Sequence, residues 1–395
     1  MSKPVRLMFV FGTRPEAIKF APLVRCFVRE RNDFEVRICV TGQHREMLDQ
    51  VLSLFDIRPD HDLGVMTTNQ GLPDLTAQIL TRLQPVLEAE KPDWIFVQGD
   101  TTTTFIASLA AFYAKIKVAH LEAGLRTGNK RSPYPEEMNR LLTSRLADIH
   151  FAPTEAAAHA LRQENVPAAS IHVTGNTIVD ALLQTIGRIR AESDLRGELD
   201  QRFSFLQGER KLILVTAHRR ESFGAGFESL CRGLSRIVTE NHEVEVLFPV
   251  HLNPNVREPV HRILGAHAER VHLIEPVDYL SMVYLMDRAY LILSDSGGVQ
   301  EEAPSLRTPL LVLRDTTERP EALLTGGVAL IGTQEHRIVA ETTLLLNNEH
   351  RYEAMRAREN PFGDGHASER IVRIMSRLHG TDDVAREITD APAAE

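Results

Sequence analysis

Three acidic residues stand where apolar runs give way to turn-forming residues. Asp100 lies in Gln98-Gly99-Asp100-Thr101-Thr102-Thr103-Thr104, and Glu122 lies in His120-Leu121-Glu122-Ala123-Gly124-Leu125-Arg126. Glu136 opens the helical pattern of Pro133-Tyr134-Pro135-Glu136-Glu137-Met138-Asn139-Arg140. Carboxylates in unlike surroundings suit proton transfer, because one can be held protonated while another stays ionised. A second set of residues suits an anion. Ser296, Gly297 and Gly298 begin a helical pattern with small residues whose N–H groups can meet phosphate, and Glu302 could accept a ribose diol. Arg14 in Gly12-Thr13-Arg14-Pro15-Glu16 and Arg319 add positive charge that suits phosphate, and His218 and Arg219 after a later apolar run could grip a diphosphate. The residues read as acid–base chemistry on a ligand that carries a nucleotide phosphate.

Each motif has a plainer structural alternative. Asp100 can be a helix N-cap, Glu122 can pair locally with Arg126, and Arg140 can pair with Glu136 four residues away on one helix face. His218 has no second His at helical spacing and no Cys nearby, which argues against zinc. The turn at Gly12 is not a dinucleotide GxGxxG, and no P-loop motif occurs. No metal site is therefore expected.

The elements that must position these residues follow from the hydrophobic pattern. Short apolar runs at 6–11, 35–41, 94–98, 118–121, 149–152 and 171–174 alternate with helix-period segments. Six further runs follow at 212–216, 244–250, 271–274, 291–294, 310–313 and 328–331. Nearly continuous apolar runs separated by helices indicate parallel strands covered on both faces. In 75–87 the residues Leu75, Ile79, Leu83 and Leu87 form one apolar stripe. Asp100 and Glu122, just past two neighbouring strands, are expected on the same rim. The fold class is thus α/β, with two Rossmann-like parallel-sheet domains and the site expected in the inter-domain cleft beyond the strand ends. The expected division is 1–187, a polar connection over 188–210, a second domain over 211–366, a C-terminal helix over 367–381 packing back toward the first domain, and a polar tail over 382–395.

The 395 residues carry 45 basic and 54 acidic side chains, a net charge of −9, with both signs interspersed. No basic face for nucleic acid is expected. Cys26, Cys39 and Cys231 are too few and too scattered for a disulfide framework. No apolar stretch reaches membrane-spanning length, and the chain reads as cytoplasmic, with no membrane partner.

In order along the chain, FGTRPEAIK, TGQHREMLDQ, GDTTTT, HLEAGLRTG, PEEMNR, TGNTIVDAL, HRRESFG, HLNPNVREPV, DSGGVQEEAPS and RDTTERPE resemble the non-hydrolysing bacterial UDP-N-acetylglucosamine 2-epimerases. The resemblance implies a GT-B fold, a homodimer, and interconversion of UDP-GlcNAc and UDP-ManNAc without NAD, metal or other cofactor. It implies Asp100, Glu122 and Glu136 as catalytic carboxylates with His218 close to the diphosphate. It places Arg14, Lys19, Arg140, Ser296, Gly297, Gly298, Glu302 and Arg319 around the UDP-sugar. Gln43, His44, Gln70 and Arg219 match the residues with which some members bind a second, activating UDP-GlcNAc. The aromatic residue of the family's uracil-facing segment is absent, Met282 standing there. A GT-B glycosyltransferase and a nucleotide-sugar-binding regulator without chemistry are the alternatives. Either would share the phosphate cradle, and the carboxylate trio weighs against both.

Overall fold

The computed structural model describes residues 3–42, 45–66, 70–206, 208–219 and 222–380. The chain forms two compact units, 1–181 with 362–395 and 182–361.

Unit one alternates strand and helix: β1 (Val5–Phe11), α1 (Arg14–Arg29), β2 (Phe34–Val40), α2 (Arg45–Leu54), β3 (His61–Asp62), α3 (Leu72–Glu90) and β4 (Trp94–Gln98). It continues with α4 (Thr102–Tyr113), β5 (Lys117–Leu121), α5 (Glu136–Leu146), β6 (Ile149–Ala152), α6 (Glu155–Gln163), β7 (Ile171–Val173) and the start of α7 (Thr177–Ala191). The sheet is parallel, in the order β3-β2-β1-β4-β5-β6-β7. Strand order reverses between β1 and β4, the place where such sheets open a crevice for ligands. Phe9 stacks on Phe96 across this pair, with centroids 4.8 Å apart, and meets Phe20 of α1 edge-on at 5.2 Å. All three rings are fully buried, each stabilising the fold by ~1.5–3 kcal/mol.

Unit two repeats the plan with α8 (Ser193–Arg202), β8 (Lys211–Thr216), α9 (Ala225–Glu240), β9 (Val244–Pro249), α10 (Pro254–Leu264), β10 (Val271–Ile274) and α11 (Tyr279–Arg288). Then come β11 (Leu291–Ser294), α12 (Gly297–Glu302), β12 (Leu310–Val312), α13 (Pro320–Leu324), β13 (Val328–Leu330), α14 (Glu335–Asn347) and α15 (Glu349–Arg356). Its parallel sheet runs β10-β9-β8-β11-β12-β13, reversing between β8 and β11. The last helix, α16 (Ala367–His379), belongs to unit one and packs on α1.

Two expectations change. The 188–210 stretch is not a free connection: α7 runs to Ala191 and α8 follows, laced by ion pairs such as Arg188–Glu192 at 2.9 Å. Its polarity reflects a solvated helix face, and only Leu199 of α8 is buried. The units divide inside α7, and the return crossing falls at 361/362 rather than 366/367. There Gly363 passes so close to Gly175 that a Cβ on it would lie 3.3 Å from the Gly175 Cα, while Asn176 N–H donates to the Phe362 carbonyl at 2.7 Å. The tail over 382–395 lies outside the described residues. Among the described residues no helix is long and apolar enough to cross a membrane.

Candidate functional site

The strand ends place the carboxylates of unit one. In the parallel pairing of β4 with β5, Gln98 lies opposite Leu121, so Asp100 and Glu122 emerge side by side from one rim. Glu122 takes a left-handed backbone, φ 57°, unusual for a residue with a side chain and characteristic of positions held by their surroundings. Its carboxylate pairs with Lys19 of α1 at 2.6 Å, accepts from the Gln98 side-chain amide and lies 3.4 Å from the Asn176 amide nitrogen. Its Oε2 is so near the preceding turn that a Cβ on Gly99 would lie 3.2 Å away. Glu122 is thus held in place beside Asp100 by Lys19, Gln98 and Asn176.

Asp100 pairs with Arg140, whose side chain is 6% exposed, while Asn139 donates to the Asp100 carbonyl at 2.9 Å. Both partners come from α5, the helix that Glu136 opens. Buried Glu137 accepts from the Thr127 and Gly128 N–H groups, each 3.0 Å from its Oε1, and fixes the loop between β5 and α5. Lys19 and Arg140, read from sequence as near the site, therefore each hold one of its carboxylates. Both nearby arginines have partners outside the local pairs: Arg126 grips Glu164 with two bonds of 2.7 and 2.9 Å, and Arg140 pairs with Asp100 and Glu137. His120 is fully buried behind the rim, donating Nε2–H to the Gly99 carbonyl at 2.8 Å. Burial pushes its imidazole down to about 3, so it stays neutral.

Unit two gathers its anion-binding candidates at its own reversal point. Ser296 is the N-cap of α12, and the Arg319 guanidinium lies against Gly297. A Cβ on Gly297 would come within 2.6 Å of the Arg319 Nη1, so any larger residue there must displace the guanidinium. Arg319 is held by Glu301 at 2.7 Å and by Glu318 at 3.0 Å. Glu318 also binds Arg314 at 2.7 Å and Arg219 at 3.3 Å. Burial opposes its charge, yet Arg319, Arg219 and Arg314 hold its carboxyl well below the usual range. Glu302, at the end of α12, accepts from the Tyr279 hydroxyl at 2.9 Å; burial, then the neighbouring carboxylate, pushes that phenol well up. Asp295 accepts the backbone N–H of His218 at 2.7 Å and of Arg219 at 2.8 Å. The His218 ring, half exposed, stacks on His251 with centroids 5.8 Å apart.

Of the remaining residues read from sequence, Arg14 begins α1 and Gln70 lies just before α3. Gln43 and His44 lie outside the described residues. Sequence reasoning missed Glu16, Gln98, Asn139, Asn176, Glu137, Tyr279, Asp295, Glu301 and Glu318. Only their position within quoted motifs or at strand ends could have drawn attention to them. Among the described residues no group of three metal-binding side chains forms.

Two Rossmann-like parallel-sheet units, one with a carboxylate rim and one with an arginine–glycine rim, define an α/β enzyme of nucleotide-linked substrates with a GT-B type fold. The family model described as UDP-N-acetylglucosamine 2-epimerase matches residues 27–376. The chain is 55% identical over 371 residues to the UDP-N-acetylglucosamine 2-epimerase of Salmonella typhimurium, covering 94% of this chain and 98% of that one. It is 56% identical over 371 residues to the enzyme of that name from Yersinia pestis, with the same coverage. The crystal structure of UDP-GlcNAc 2-epimerase from Neisseria meningitidis bound to UDP-GlcNAc matches with a TM-score of 0.90 at 49% identity, covering 94% of this chain and all of that one. The chain belongs to the UDP-N-acetylglucosamine 2-epimerase family.

Proposed function

We propose that this chain interconverts UDP-GlcNAc and UDP-ManNAc by anti elimination and re-addition of UDP. A carboxylate removes the C2 proton while the C1–O bond breaks, its electron pair leaving with UDP and C1=C2 forming as 2-acetamidoglucal. A proton then reaches the opposite face of C2, and the UDP oxygen adds back to C1. Unit one supplies the proton-transfer groups, Asp100, Glu122 and Glu136. Unit two supplies Ser296, Gly297, Gly298 and Arg319 for the diphosphate and Glu302 for the ribose, with His218 close to the leaving phosphate and Arg14 of unit one adding a further cation. Positive charge aimed at the departing UDP lowers the cost of breaking C1–O.

The observation that carries this reading is the pair of carboxylates side by side on one rim, each paired with its own buried basic side chain, Lys19 or Arg140. That pair weighs against a glycosyltransferase and a binding regulator, and family membership also speaks against both. UDP-ManNAc made this way feeds surface-polysaccharide synthesis, and the working assembly is a homodimer. The second, activating UDP-GlcNAc site at Gln43, His44, Gln70 and Arg219 rests on the sequence resemblance.

The test is paired. Asp100→Asn, Glu122→Gln and Glu136→Gln each keep shape but lose proton transfer, so turnover falls about 10²–10⁴-fold. UDP affinity by calorimetry changes little, because unit two carries most of its contacts. Near-normal C2 deuterium exchange in any variant removes that residue from the proton-transfer set.

A further inference from the structure

The turns after β1 and after β4 flank the reversal of strand order in unit one, and one buried carboxylate joins them. Glu16, 1% exposed, stands in the first turn of α1. Its Oε2 accepts the Gly12 N–H at 3.1 Å, and the Thr13 N–H and hydroxyl at 2.8 Å each. Its Oε1 accepts the Thr101 hydroxyl at 2.8 Å and the Thr104 hydroxyl at 3.3 Å. A capping role explains the first set alone. The second set belongs to another helix, where Thr101 is the N-cap of α4 and follows Asp100 directly.

Each oxygen therefore serves one turn, and the turns cannot part without breaking bonds to a charge held away from water. The N-terminal ends of α1 and α4 both face this carboxylate, which favours its negative charge. Burial opposes that charge and raises the acid's affinity for a proton, while the hydroxyls of Thr101 and Thr13 and the N–H groups of Gly12 and Thr13 pull it back. Such a group is costly to keep unless the geometry it fixes is worth keeping.

We infer that Glu16 is a positioning residue for the epimerisation: it sets the spacing between Arg14 on one turn and Asp100 on the other, and acts on the reaction only through them. The inference rests on the roles given to those two residues above. It makes the capping box of α1 part of the machinery, because the same carboxylate that starts the helix aligns a cation with an acid.

The experiment uses the full chain with E16Q, D100N, R14A and the double variants E16Q/D100N and E16Q/R14A. It records kcat, KM, UDP affinity and thermal melting. Glutamine keeps the volume but turns an amide NH2 toward groups that donate. E16Q is expected to melt cooperatively and to lower kcat about 10–100-fold, as a misplaced catalytic group does. E16Q/D100N should be within about threefold of D100N alone, and E16Q/R14A should bind UDP within about threefold of R14A alone, since the paired changes disable the same element. A kcat for E16Q within about twofold of wild type, or losses that multiply in the double variants, overturns the inference. Should E16Q fail to fold, Thr101→Val removes one partner of Oε1 and Thr101→Ser keeps it. The inference then requires kcat to fall about tenfold in the first and to recover in the second, and equal rates overturn it. Full activity in D100N and R14A overturns the functional reading and this inference together. Loss there without loss in E16Q overturns this inference alone.

Discussion

Gly297 shows how one missing methyl group can shape a binding site. Arg319 occupies the space that a Cβ would fill, and two carboxylates pin its guanidinium there. Gly297→Ala must displace that guanidinium, so UDP binding should weaken about 10–100-fold, the worth of one charge-assisted contact. Calorimetry checks this, and unchanged affinity would show that Arg319 does not hold the diphosphate. His120 gives a pH prediction at the same scale. Its folded value of about 3 lies below the ordinary 6.5, so the unfolded chain takes up a proton that the native state refuses. The associated stability is complete above about pH 6.5 and is lost as pH falls toward about 3, by up to about 1.4 kcal/mol per pH unit. Urea midpoints from pH 8 to 5 should therefore fall less steeply for His120→Asn than for wild type; parallel curves would contradict it. The placement of Asp100, Glu122 and the Gly297 turn was legible in the sequence because each follows a continuous apolar run that forms a strand. Glu16 and Glu318 were not, because their roles come from partners far along the chain: Thr101 for the first, Arg219 for the second.

Among the elements, α16 has the clearest structural task. Asp180 of α7 accepts the first N–H groups of α16, from Ser368 at 2.7 Å and Ala367 at 3.2 Å, and is itself 2% exposed. Asp180→Ala leaves two buried donors without this acceptor and should cost about 2–3 kcal/mol. Urea denaturation measures the loss, while kcat of the folded fraction stays at the wild-type value; an unchanged midpoint would mean that α16 is held by its apolar face alone. The strands were readable to within a residue or two wherever an apolar run was continuous. β3 escaped because two residues, His61 and Asp62, show no pattern and pair only with the end of β2. The polar stretch containing α8 looked like a linker because its helix is supported by surface ion pairs rather than by an apolar stripe.

At the scale of the whole molecule, each unit ties the two turns at its strand-order reversal with a buried carboxylate. Glu16 does so in unit one. In unit two Asp295 follows β11 and holds the backbone after β8, where Ser294 and Thr216 also meet at 2.6 Å. The alternation of strand and helix revealed two such units from sequence, but not where they divide, since α7 continues through the boundary without a break in composition. The most direct test of the account is a proton NMR time course on UDP-GlcNAc with the full chain in D2O. The account predicts UDP-ManNAc in equilibrium with UDP-GlcNAc, deuterium entering C2 of both and the C2 proton signal disappearing. UDP-ManNAc that keeps its C2 proton would contradict proton transfer through the solvent-exchangeable acids of unit one, and a UDP-GlcNAc spectrum that never changes would contradict the proposed reaction itself.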